Sequence, residues 1–90
     1  MSEQAPHFEI GERLRKLRAL TGLSQLEFAK KHGFGSTQYT NWEVGTRRIT
    51  IDSAARLKER YGATLDYIYL GRIETLSQNL ASSLEDISRA

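Results

Sequence analysis

The chain has 90 residues, 39% of them hydrophobic and 27% charged, with a net charge of +2 and no cysteine. One small domain is expected, disulfides and thiolate metal sites are excluded, and no apolar run reaches the roughly 20 residues of a membrane span. The opening MSEQAPHF is neither a signal nor a transit peptide, so the sequence reads as cytoplasmic.

Glycine punctuates the chain. Gly22, Gly33, Gly45, Gly62 and Gly71 each follow a stretch with helical apolar spacing, and Gly is favoured just past a helix because it turns left-handed cheaply. Five such stops predict five helices. The first, near 9–21, puts Ile10, Leu14, Leu17 and Leu20 toward one face. The second, near 25–32, opens on a capping box of Ser24 and Glu27 and is expected to bury Leu26, Phe28 and Ala29. The third, near 36–44, starts from Gly35 or Ser36. The fourth, near 51–61, is capped by Thr50 and offers Ile51, Ala54, Ala55, Leu57 and Tyr61. The fifth, near 65–70, is capped by Thr64 and offers Leu65, Ile68 and Leu70. Pro6 marks an N-terminal tail over 1–8, and residues 9–71 form the domain. No repeat, low-complexity segment or alternating strand pattern is present.

After Gly71 the pattern narrows. Ile73, Leu76, Leu80, Leu84 and Ile87 recur at intervals of 3, 4, 4 and 3. They predict an amphipathic C-terminal helix over 72–90. That helix either folds back on its own domain or pairs with a second copy. The second reading is preferred, because five helices ending at Gly71 already make a complete domain.

The run from Gly22 to Gly45 carries the functional signal. Two short helices flank a glycine turn. In the third helix Ser36, Thr37, Thr40, Asn41 and Val44 share one side, with Tyr39 and Trp42 opposite and Glu43 on the flank. Short uncharged polar groups suit the edges of DNA bases, and Asn can bond adenine through N6 and N7. The ordinary alternative is a solvated helix face, but the capped helix and turn before it favour a DNA contact. Gln25, at the start of the second helix, is placed to hold a phosphate and touch a base edge. Arg47 and Arg48 are placed to grip the flanking backbone. Residues 11–48 hold eight basic and three acidic side chains, a local excess of +5. Within it Arg15 is a candidate phosphate contact, while Lys16, Lys30 and Lys31 give general attraction.

These residues resemble the Cro/CI-type (XRE-like) helix-turn-helix family of transcription regulators. The match runs through Arg13-Leu14-Arg15, Gly22-Leu23-Ser24-Gln25, Glu27-Phe28-Ala29, Gly33, Asn41-Trp42-Glu43, Gly45 and Arg47-Arg48. It continues at Leu57, Tyr61-Gly62, Leu65-Asp66-Tyr67-Ile68 and Gly71, and so covers about 9–71. The resemblance implies an all-α, five-helix, lambda-repressor-like domain, here with an additional C-terminal helix. It implies a homodimer on double-stranded DNA at an inverted-repeat operator. Base contacts would fall on Gln25, Ser36, Thr37 and Asn41, with Thr40 a further candidate. It also implies an ion pair between Arg18 and Glu43, tying the first helix to the third. Ile49 stands where many relatives carry Pro, which predicts a less rigid loop after Arg48. Ser36 is short where relatives often carry Gln or Arg.

The leading expectation is therefore a sequence-specific DNA-binding regulator acting as a repressor. The dimer would be held by Ile73, Leu76, Leu80, Leu84 and Ile87. The alternative is a protein-interaction module, such as an antitoxin-like partner or adaptor, binding a regulatory protein with DNA secondary. An enzyme is not expected. His7 falls in the tail, His32 ends a short helix, and no acids or metal ligands cluster, so no cofactor or metal is implied.

Overall fold

A computed structural model describes residues 5–89. Its α-helices are α1 (Phe8–Thr21), α2 (Gln25–His32), α3 (Ser36–Val44), α4 (Ile51–Tyr61), α5 (Leu65–Leu70) and α6 (Gln78–Arg89). A 3-10 turn, Ile73–Thr75, precedes α6. No strand occurs among the described residues.

Local chemistry sets these boundaries. Ser24 Oγ accepts from the Glu27 N–H at 3.1 Å, and the Glu27 carboxylate accepts from the Ser24 N–H at 2.9 Å. Thr50 and Thr64 cap α4 and α5 by accepting from the N–H groups of Ser53 and Tyr67. Of the glycine stops, Gly33 matters most for the site. At φ 74° it lets its own N–H reach the Lys30 carbonyl at 3.3 Å and the Phe34 N–H reach the Ala29 carbonyl at 2.8 Å. This paired closure fixes the path from α2 into α3.

The core lies under α3. Leu14 and Leu17 of α1, Phe28 and Ala29 of α2, Phe34, Tyr39 and Trp42, Ala54 and Leu57, and Ile68 are buried together. Phe34 meets Trp42 edge-on at 5.2 Å between ring centroids, and Phe28 lies 5.2 Å from Tyr39. Ile49 does not loosen its loop. It is buried, and its carbonyl accepts from the Tyr69 hydroxyl at 2.6 Å. An apolar anchor and one hydrogen bond hold the segment that a Pro was expected to stiffen.

Several expected core positions face outward. Leu26 is 56% exposed, because it lies two residues from Phe28 and hence about 200° around the helix. Leu70 stands in the same relation to Ile68 and is also exposed. Ile51, in the first turn of α4, and Leu20 at the far end of α1 are exposed as well. The N-terminal tail is shorter than expected, and residues 1–4 lie outside the described residues. Phe8 already begins α1, and the His7 N–H donates to the Gly45 carbonyl at 2.9 Å.

The segment 72–90 is not one helix, a correction to the expected continuous element. Thr75 closes back on the Arg72 carbonyl through both its hydroxyl and its N–H. Ser77 then starts a new helix, its side chain accepting from the Leu80 N–H at 3.2 Å. The break turns Leu76 into the core. The apolar seam is not an open face either. Leu76 and Leu84 are buried in their own chain, Leu80 packs beside them, and α6 lies along α1. Only Ile73 is exposed, with Ile87 half-buried.

Candidate nucleic-acid interface

The surface formed by α2 and α3 is backed by one carboxylate. Glu43 is 4% exposed at its side chain and accepts from Arg18 Nε at 2.7 Å and Nη2 at 3.1 Å. It also accepts from the Tyr39 hydroxyl and from Gln25 Nε2, the latter at 2.9 Å. Arg18 donates further to the Leu23 carbonyl at 3.0 Å. Burial pushes the Glu43 carboxyl pKa up, but the hydrogen bonds from Arg18, Tyr39 and Gln25 outweigh it and hold the value below normal. Burial, then the bond to Glu43, pushes the Tyr39 phenol up. One ionised group thus joins α1, α2 and α3 from beneath.

Above it, Gln25, Leu26, Ser36, Thr37, Thr40 and Asn41 line a shallow depression. The side chains of Ser36, Thr37 and Asn41 make no hydrogen bond among the described residues, which leaves their donors and acceptors free. Thr40 differs, since its hydroxyl donates to the Ser36 carbonyl at 3.0 Å and can only accept from outside. The Asn41 carbonyl instead gathers the N–H groups of Gly45, Thr46 and Arg47 at 3.0–3.3 Å, so the end of α3 aims the arginine loop. Arg47 and Arg48 are exposed, form no ion pair among the described residues, and share a second depression with Thr37, Gln38 and Asn41.

Arg15 is held differently. It pairs with Glu12 at 2.8 Å, so its charge is partly offset by a carboxylate. Arg13 donates to the Ile68 carbonyl at 3.1 Å and braces α5. His32 packs edge-on against Phe28 at 4.5 Å and its Nε2 meets the Tyr61 hydroxyl at 2.7 Å, a packing role. Among the described residues no three His, Cys, Asp or Glu side chains gather as a metal site.

Three features escaped the sequence reading. Gln38 is exposed beside Asn41 and extends the polar edge of α3; at 200° on the helix it lies only about 60° past Asn41. Leu26 stands in the depression as an apolar element. The bonds from Tyr39 and Gln25 to Glu43 were also missed, although Tyr39 and Glu43 are four residues apart on one helix.

A family model described as a helix-turn-helix domain matches residues 11–80. The chain belongs to the XRE-type helix-turn-helix family. Its helix-turn-helix unit is the α2–turn–α3 pair, whose second helix carries the open polar face. A similar protein is the HTH-type transcriptional regulator ImmR of Bacillus subtilis (strain 168), 31% identical over 70 residues. That alignment covers 78% of this chain and 54% of ImmR, so the chain spans about half the length of that curated relative. No solved structure matches the chain. The family is one of transcription regulators, a non-enzyme class. Among the described residues, no helix is long and apolar enough to cross a membrane.

Proposed function

We propose that this helix-turn-helix domain represses transcription by binding an inverted-repeat operator as a homodimer, with α3 in the major groove. The observation that carries this reading is the α3 surface. Ser36, Thr37 and Asn41 present unspent hydrogen-bonding groups, and Arg47 and Arg48 flank them. Short polar groups read base edges and free arginines hold phosphates. In the first turn of α2 the capping box occupies the N–H groups of Ser24 and Glu27 and leaves those of Gln25 and Leu26 without an intrahelical partner. The proposed setting is the cytoplasm, with the protein on nucleoid DNA.

Dimerisation sets two α3 helices about 34 Å apart, one turn of the duplex. Since Leu76 and Leu84 are spent within the chain, the dimer contact is assigned to the exposed apolar side chains. Ile51 and Leu70 line one depression with Ile49 and Tyr69. Burying Ile51 and Leu70 against a second copy would contribute roughly 1.5–3 kcal/mol per side chain.

The test is sequencing of genomic fragments retained by the protein at about 150 mM salt. Enrichment of a shared inverted repeat is expected. Retention without a shared motif would overturn sequence-specific reading. No retention even at low salt would transfer the function to a protein partner.

A further inference from the structure

Gln25 has two ends with different chemistry, and the fold decides which one faces out. Its Nε2 lies 2.9 Å from Glu43 Oε1. That carboxylate already takes two bonds from Arg18 and one from Tyr39, and it has no proton to donate. Only the nitrogen of an amide can face such an oxygen. The orientation of Gln25 is therefore set by its partner's chemistry, where amide orientation is usually ambiguous. Because the amide is planar, the carbonyl oxygen points away from Glu43. It accepts no hydrogen bond among the described residues, and no buried side-chain oxygen there lacks a partner, so Oε1 reaches solvent. It does so in the wall of the depression it shares with Ser36, Thr37 and Asn41.

We propose that Gln25 reads an amino-bearing base, adenine or cytosine, at one position of each operator half-site through its outward carbonyl oxygen. The inference rests on the DNA-binding reading above and deepens it. A phosphate offers only acceptors, so this oxygen cannot hold the backbone. On the major-groove edge the donors are adenine N6 and cytosine N4. Every base pair carries one of them, and the oxygen reports which strand it is on. At that position A or C is accepted, while the O4 of T and the O6 and N7 of G meet the oxygen acceptor to acceptor. The remaining N–H can reach adenine N7, which makes adenine the stronger of the two. Glu43 acts as the positioning residue, holding the amide in this sense from below.

Binding-site selection from a random DNA pool, with wild type and Gln25→Ala, tests the proposal. Wild type should select A or C at one position of each half-site, and Gln25→Ala should lose selection there and nowhere else. In the selected site, replacing that base by an analogue without the exocyclic amine should weaken wild type about tenfold and leave Gln25→Ala unchanged. The analogue measurement uses the unaltered protein, so it holds even if the variant folds poorly. A uniform loss of affinity in Gln25→Ala with unchanged base preferences would make Gln25 a backbone contact and overturn the proposal. So would a selected motif with no position sensitive to amine removal. Failure of wild type to select any motif would overturn the operator reading as well, which separates the two.

Discussion

The backbone of Gly11 runs directly against the carbonyl of Glu43: a β-carbon on Gly11 would come within 2.2 Å of that oxygen. This close approach sets the distance between α1 and the recognition helix, and it holds the backbone of the same residue whose side chain orients Gln25. Gly11 sits inside a helix, where Ala is ordinarily the better residue by roughly 1 kcal/mol. Here the opposing atom is backbone and cannot swing away. Gly11→Ala should therefore destabilise the fold by about 1–3 kcal/mol. Gly22 faces open space, so Gly22→Ala should cost only its left-handed strain, on the order of 1–2 kcal/mol. Thermal melts of the two variants check this. A Gly11→Ala protein that melts above wild type would refute the close packing.

Glu43→Ala leaves Arg18, Tyr39 and Gln25 without their shared acceptor. Arg18 is 20% exposed and partly solvated, so the loss should fall toward the lower end for a broken buried pair, about 3 kcal/mol. The Glu43 carboxyl titrates below its ordinary value of 4.5. Its contribution is complete above that value and disappears as pH falls through the lower folded value. Melting temperatures from pH 6 to pH 2 should fall more steeply in wild type than in Glu43→Ala.

His32 runs the other way along the proton scale. Burial, aided by the charges of Arg60 and Lys31, lowers its pKa below 6.5. The folded chain favours neutral imidazole, while the unfolded chain takes the proton first. The stability from His32 is therefore present above 6.5 and is lost as pH falls toward the folded value. A melt series from pH 7.5 to 5.5 should decline for wild type, and His32→Gln should flatten it. Identical slopes would show that the ring does not titrate differently on folding.

Arg47→Ala should weaken binding to all DNA sequences alike and reduce the salt dependence by about one counterion. Asn41→Ala should leave the salt dependence alone and relax preference at one base position, by about 1–3 kcal/mol. Titrations of specific and scrambled duplexes at several salt concentrations separate the two. Equal effects of both variants on every sequence would remove Asn41 from the base-reading surface.

Leu84 is 2% exposed and anchors α6 on α1. Leu84→Ala should cost about 2–5 kcal/mol, and a chain ending at Gly71 should melt earlier for the same reason. Light scattering on that shorter chain also tests the dimer surface. A retained dimer agrees with Ile51 and Leu70 as the contact. A monomer that still folds would return the contact to the C-terminal segment.

The five helices up to Gly71 and their ends were legible in the sequence, because the signals are local. Apolar spacing, the Ser24–Glu27 box, the threonine caps and the five glycines each act within a few residues. The polar side of α3 was legible for the same reason, since helical geometry alone separates Asn41 from Trp42. Whether a side chain is covered depends instead on neighbours distant in the chain. Leu26 and Leu70 look like core by composition but have no element above them, while the seam of α6 looks open until α1 lies along it. The sense of the Gln25 amide is the sharpest case. The residue type was in the sequence, but only the arrival of Glu43 from α3, 18 positions away, decides that its oxygen faces outward.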